Sequence, residues 1–113
     1  MSDKTYNVES IKGTITIGAG TTVGTVLFSG MDVNGLTKTI FFTTPSMTGT
    51  DTPKIQLVNS AGAVYMDSGT VAESVTTVLG TEVAVISSDK LIATASGTQA
   101  AAVDITYDIR LLR

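Results

Sequence analysis

Apolar and polar positions alternate most cleanly at the end of the chain. From Ala101 to Leu112, residues Ala101, Val103, Ile105, Tyr107, Ile109 and Leu111 fall on one side, and Ala102, Asp104, Thr106, Asp108 and Arg110 on the other. Period two is the strand period, because successive side chains point to opposite faces of a pleated chain. An apolar helix stripe would recur at three and four residues. The pattern predicts a long strand with one buried and one exposed face. Chain ends fray unless they are tied down, so this strand is expected to be tied down in a sheet.

The same reading extends upstream. Gly13–Gly18 alternates, with Ile15 and Ile17 inward and Thr14 and Thr16 outward, and Gly18-Ala19-Gly20 breaks it. Thr22–Ser29, Thr37–Thr43 and Lys54–Val58 read as strands, and the last pairs with Ala63–Asp67 around the turn Asn59-Ser60-Ala61-Gly62. Asn34-Gly35 and Asp67-Ser68-Gly69 mark further turns. Glu82–Ile86 and Lys90–Ala95 are the remaining strands. Residues 70–79 are ambiguous: Val71, Val75 and Val78 have helical spacing, while the Thr and Val content favours extended chain. Residues 1–12 read as a polar N-terminal arm or a weak first strand, followed by one domain over 13–113. About eight strands with no convincing helix predict an all-β fold, an antiparallel β-sandwich or jelly-roll.

Several strands carry apolar residues on both faces. Phe41 and Phe42 are adjacent, so they point to opposite faces of their strand, and Leu27, Val58, Ile86, Ile92 and Leu112 are out of phase with the stripes of their own strands. A sandwich needs only one dry face per sheet. The surplus implies cover by a loop, an arm or a neighbouring subunit, and it predicts a homo-oligomer.

Composition narrows the chemistry. The 113 residues are 42% apolar and 15% charged, with a net charge of −3. That mild charge gives no reason to expect a nucleic acid or an anionic membrane as partner. No apolar run approaches the ~20 residues that a spanning helix needs, and the polar start has no signal-peptide core. The absence of Cys removes disulfides and thiol chemistry, and the absence of His removes the commonest general base and transition-metal ligand.

The candidate motifs have simpler readings. Gly18-Ala-Gly20-Thr-Thr-Val-Gly24 lacks the helix that a dinucleotide loop requires, so it reads as a turn. Asp32-Val-Asn34-Gly35 opens like a calcium loop, yet the position for the bidentate acid is Thr43. An irregular ion site would draw on Asp32, Asp51 or Asp67. Asp104 and Asp108 share a strand face about 13 Å apart, too far to act on one bond. They read as a solvated face with Arg110 beside Asp108. No catalytic residue and no cofactor is expected.

The chain resembles small virion structural proteins of tailed bacteriophages, in the style of capsid decoration and other accessory head proteins. The resemblance covers residues 13–113. It is carried by Ile15-Thr-Ile-Gly-Ala-Gly-Thr-Thr22, by Phe41-Phe-Thr-Thr-Pro-Ser-Met-Thr-Gly-Thr50, by Asn59–Gly69 and by the closing Ile105-Thr-Tyr-Asp-Ile-Arg-Leu-Leu-Arg113. It implies a non-enzymatic β-sandwich, often trimeric, bound to the major capsid protein on the outside of the virion. The alternative is a tail, fibre or baseplate module that binds a host-surface glycan or another tail protein. Under the first reading Lys4, Tyr6, Val8, Glu9 and Lys12 are candidates for capsid contact. Phe41, Phe42, Leu112 and Arg113 are candidates for subunit contact.

Overall fold

The computed structural model describes residues 8–112, and Lys4, Tyr6 and Arg113 lie outside them. Nine strands follow in order: β1 (Val8–Ile17), β2 (Val23–Leu27), β3 (Gly35–Thr43), β4 (Pro53–Val58), β5 (Val64–Thr70), β6 (Thr76–Leu79), β7 (Ala84–Val85), β8 (Lys90–Ala95) and β9 (Val103–Leu112). One sheet has the order β1-β9-β3-β6, with β7 also paired to β3, and the other has the order β2-β8-β4-β5. Every pairing is antiparallel. This interleaved order is a jelly-roll sandwich. Among the described residues there is no helix.

The terminal strand is tied down in a sheet and lies inside it rather than at an edge. β9 pairs with β1 over ten residues and with β3 on its other side. Val103, Ile105, Tyr107, Ile109 and Leu111 are all buried, and Asp104, Thr106 and Arg110 are exposed. Ala101 lies in the bend before the strand and is exposed. The stripe meets Ile15, Ile17, Ile40 and Phe42 from its own sheet and Ile55, Leu57, Leu91 and Ala93 from the other, in one core.

Four features of the fold were hidden in the pattern. β1 begins at Val8, so residues 8–12 continue the strand and the 12/13 boundary falls inside it. In β3 the register shifts between Thr37 and Thr39, where Lys38 is the extra residue. Such a bulge exchanges the faces of the strand. Thr37 points inward before it, and Ile40 and Phe42 point inward after it. Residues 70–79 contain no helix: Ser74 turns with a φ of 60° and β6 follows. The expected strand over residues 82–86 shrinks to Ala84-Val85.

Candidate functional site

The pairing registers align the outward side chains of the β1-β9-β3-β6 sheet in rows. At one end the row is Val8, Leu112, Leu36 and Ala84. At the other it is Thr14, Thr106, Thr43 and Thr76, followed by Thr16 beside Asp104. The two ends of the molecule therefore differ in kind.

Several hydroxyls of the threonine end bond within the chain, while the buried Thr44 hydroxyl has no partner among the described residues. The Thr43 and Thr76 hydroxyls share a hydrogen bond of 3.0 Å, and the Thr16 hydroxyl donates to Asp104 at 2.7 Å. Beneath them Gln99 is fully buried and joins three loops. Its Nε2 donates to Asp51 Oδ2 (3.0 Å) and to the Gly97 carbonyl (2.9 Å), while its Oε1 accepts from the Thr48 N–H (2.9 Å). Its own backbone bonds to Gly20 and Thr21. Ser96 donates its hydroxyl to the second Asp51 oxygen at 3.2 Å. Nothing in the polar run Ser96-Gly-Thr-Gln99 marks this glutamine as buried.

The opposite end is apolar and open. Leu27 is 63% exposed, Val8 57% and Ile86 53%, and Leu36 and Val64 belong to the same group. Leu27 shares a row of the second sheet with Lys90, Val58 and Val64. Val23 and Val75 are exposed at the threonine end, beside Thr94 and Thr76, and Val78 in the row between the ends. Beneath this end Tyr65 donates its hydroxyl to Asp89 Oδ2 at 2.6 Å, and the same oxygen accepts from the Ile86 N–H at 3.0 Å. Burial and that bond hold the Tyr65 phenol well above its usual range. A hollow of about 310 Å³ opens here among Tyr65, Ala84 and Ile86.

Between the ends lies the row Lys12, Asp108, Phe41 and Val78. The Arg110 guanidinium sits 5.0 Å above the centre of the Phe41 ring and its Nε lies 3.3 Å from Asp108 Oδ2. A shallow hollow of about 420 Å³ covers Lys12, Thr14, Phe41, Thr43 and Asp108. Asp108 Oδ1 is buried without a hydrogen-bond partner, and Lys12 is its neighbour in register on β1. Asp108 and Arg110 form the expected pair.

The residues expected to make contacts are distributed unevenly. Val8, Glu9 and Lys12 are exposed on β1. Phe41 is half-buried on the outer face under Arg110, and Leu112 is half-buried in the apolar row. Phe42 is corrected: the bulge at Lys38 turns it into this chain's own core, where it is fully buried and unavailable to a neighbour. The surplus apolar residues divide in the same way. Val58 is covered within the chain and Ile92 is half covered, while Leu27 and Ile86 stay exposed. Asp51 and Asp67 are engaged separately. Asp67 accepts from Gln56 Nε2 and the Gly69 N–H, which holds its carboxyl below the usual range. Among the described residues no three His, Cys, Asp or Glu side chains gather as a metal site would require.

No family model matches the chain, and no curated protein matches it in sequence. Among solved structures, it is similar to a chain of the one described as "Bacillus endospore appendages form a novel family of disulfide-linked pili". The alignment covers 98% of this chain and 93% of that one, with a TM-score of 0.54 and 12% sequence identity. The shared property is the β-sandwich fold.

Proposed function

We propose that this chain is a non-enzymatic structural subunit that acts by associating with copies of itself inside a larger assembly. The observation that carries the reading is the apolar end. Val8 and Leu36 on one sheet, Leu27 and Val64 on the other and Ile86 in the turn between β7 and β8 stand exposed at one end of the sandwich, more large apolar side chains than the other end exposes in Val23 and Val75. An apolar patch rimmed by polar residues is the usual mark of a protein contact. A fold shared with a pilus subunit fits the same role. That appendage is described as disulfide-linked, whereas this chain has no Cys, so its contacts would be non-covalent. Decoration of a phage capsid is the specific form of this role that the phage resemblance implies.

Sedimentation velocity tests the reading. The wild type is compared with a variant carrying Leu27→Ser, Leu36→Ser and Val64→Ser. The wild type should sediment as an oligomer and the variant as a folded monomer. Equal coefficients for the two would remove the apolar end as the contact.

A further inference from the structure

The apolar end is two-sided. Val8, Leu112, Leu36 and Ala84 form a row on the outer face of one sheet, and Leu27, Lys90, Val58 and Val64 a row on the outer face of the other. The alternation along the strands fixes these faces. Leu111, next to Leu112 on β9, is fully buried, and so is Leu91, next to Lys90 on β8. Val58 is buried but stands outside the core, in keeping with an outward position. Two sheets packed face to face lie about 10 Å apart, and their side chains stand roughly perpendicular to them. The two rows therefore face away from each other, with the sandwich between them. One neighbour can cover one row, or meet the tip at Ile86. Covering both rows takes two neighbours.

We infer that unlike rows meet: the row of Val8 and Leu36 on one copy receives the row of Leu27 and Val64 on the next. This rests on the self-association proposed above and specifies which surfaces of the apolar end come together. Lys90 decides the arrangement. It lies in the second row, between Leu27 and Val58, and among the described residues no carboxylate forms a salt bridge with it. A two-fold contact joins the same patch of both copies, so on the second row it would bring Lys90 against Lys90. Like charges brought together at an interface are costly. The first row carries no charge, and at its border Glu82 is half exposed with one oxygen on Lys38. A two-fold contact on the first row alone would leave Leu27 and Val64 in water. The unlike pairing covers both rows without opposing Lys90 to its copy. Such a contact does not close with two copies; it makes a ring of three or more, or a filament.

Complementation between two variants tests this by multi-angle light scattering. One variant carries Val8→Ser and Leu36→Ser, the other Leu27→Ser and Val64→Ser. All four positions are exposed, so each variant should keep the wild-type urea midpoint. Where a pair lowers it, the single changes Leu36→Ala and Leu27→Ala take its place. The wild type should have at least three times the subunit mass of 11.6 kDa. Each variant alone should fall to 11.6 kDa, because it has lost one half of the contact. Their equimolar mixture should rise to twice that mass and stop there, since the intact row of one variant meets the intact row of the other. A mixture that stays monomeric, or a dimer formed by either variant alone, would overturn the unlike pairing, while a wild-type oligomer would leave self-association standing. A wild-type mass of 11.6 kDa would remove both.

Discussion

The two ends of this sandwich are built from the same strands, yet they meet solvent in opposite ways. At the threonine end, Thr43, Thr76 and Thr16 bond to neighbours across the sheet, and Gln99 draws three loops together. At the other end the same strands present Val8, Leu36, Leu27 and Val64, with Ile86 in the following turn. A hydroxyl row can satisfy itself or water. An apolar row lowers its free energy only by leaving water, at about 25 cal/mol for each Å² covered. The difference is what the proposed association rests on: Gln99 ties loops together at one end, and large apolar side chains stay in water at the other.

The largest test removes the strand that joins both ends. Deletion of residues 109–113 takes Ile109 and Leu111 out of the core, and cooperative unfolding in urea should vanish. A folded product would mean that β9 does not organise the sheet. The next test weakens the threonine end alone. Gln99→Ala removes the partner of the Thr48 N–H and of Asp51 Oδ2, while Ser96 still donates to Asp51 Oδ1. A typical intramolecular hydrogen bond contributes about 0.5–1.5 kcal/mol net, and these two are part-buried, so the urea midpoint should fall while the scattering mass stays unchanged.

At the apolar end the expected stability changes are smaller. Tyr65 ionises near pH 10 in the unfolded chain, and its pKa is raised in the fold. The native state therefore holds its proton more tightly. This contribution is complete below about pH 10 and is lost as pH rises from there through the folded pKa. Tyr65→Phe should flatten the decline in stability above pH 10; an unchanged slope would remove the Tyr65–Asp89 bond from the account. Smallest of all, Leu27→Ser with Leu36→Ser should change the urea stability of the subunit by no more than about 0.5 kcal/mol per site. A large loss would mean that these residues serve the subunit's own core.

Much of the fold was legible because period two survives wherever a strand is regular. The stripes of β9, β8 and the second half of β1 gave the buried residues directly. The turn at Asn59–Gly62 formed as its residues suggest, with Asn59 Oδ1 accepting from Ala61 and Ala63 and Gly62 at φ 86°. The bulge at Lys38 was not legible, because one inserted residue swaps faces without altering composition. Adjacency alone says that one of Phe41 and Phe42 faces out, and the fold shows that Phe42 is the one that fills the core. Gln99 left no trace either, since a buried amide among Ser, Gly and Thr looks like any polar loop. The apolar end was half legible. Leu27 and Ile86 stood out as out of phase, but only cross-strand register set Val8 in the row of Leu36 and Leu27 in the row of Val64.

The central claim is that the apolar end is an interface between copies. Multi-angle light scattering of the purified full chain over a range of micromolar concentrations tests it most directly. The account predicts a mass that is a whole multiple, two or greater, of 11.6 kDa. A constant mass of 11.6 kDa at every concentration would contradict it.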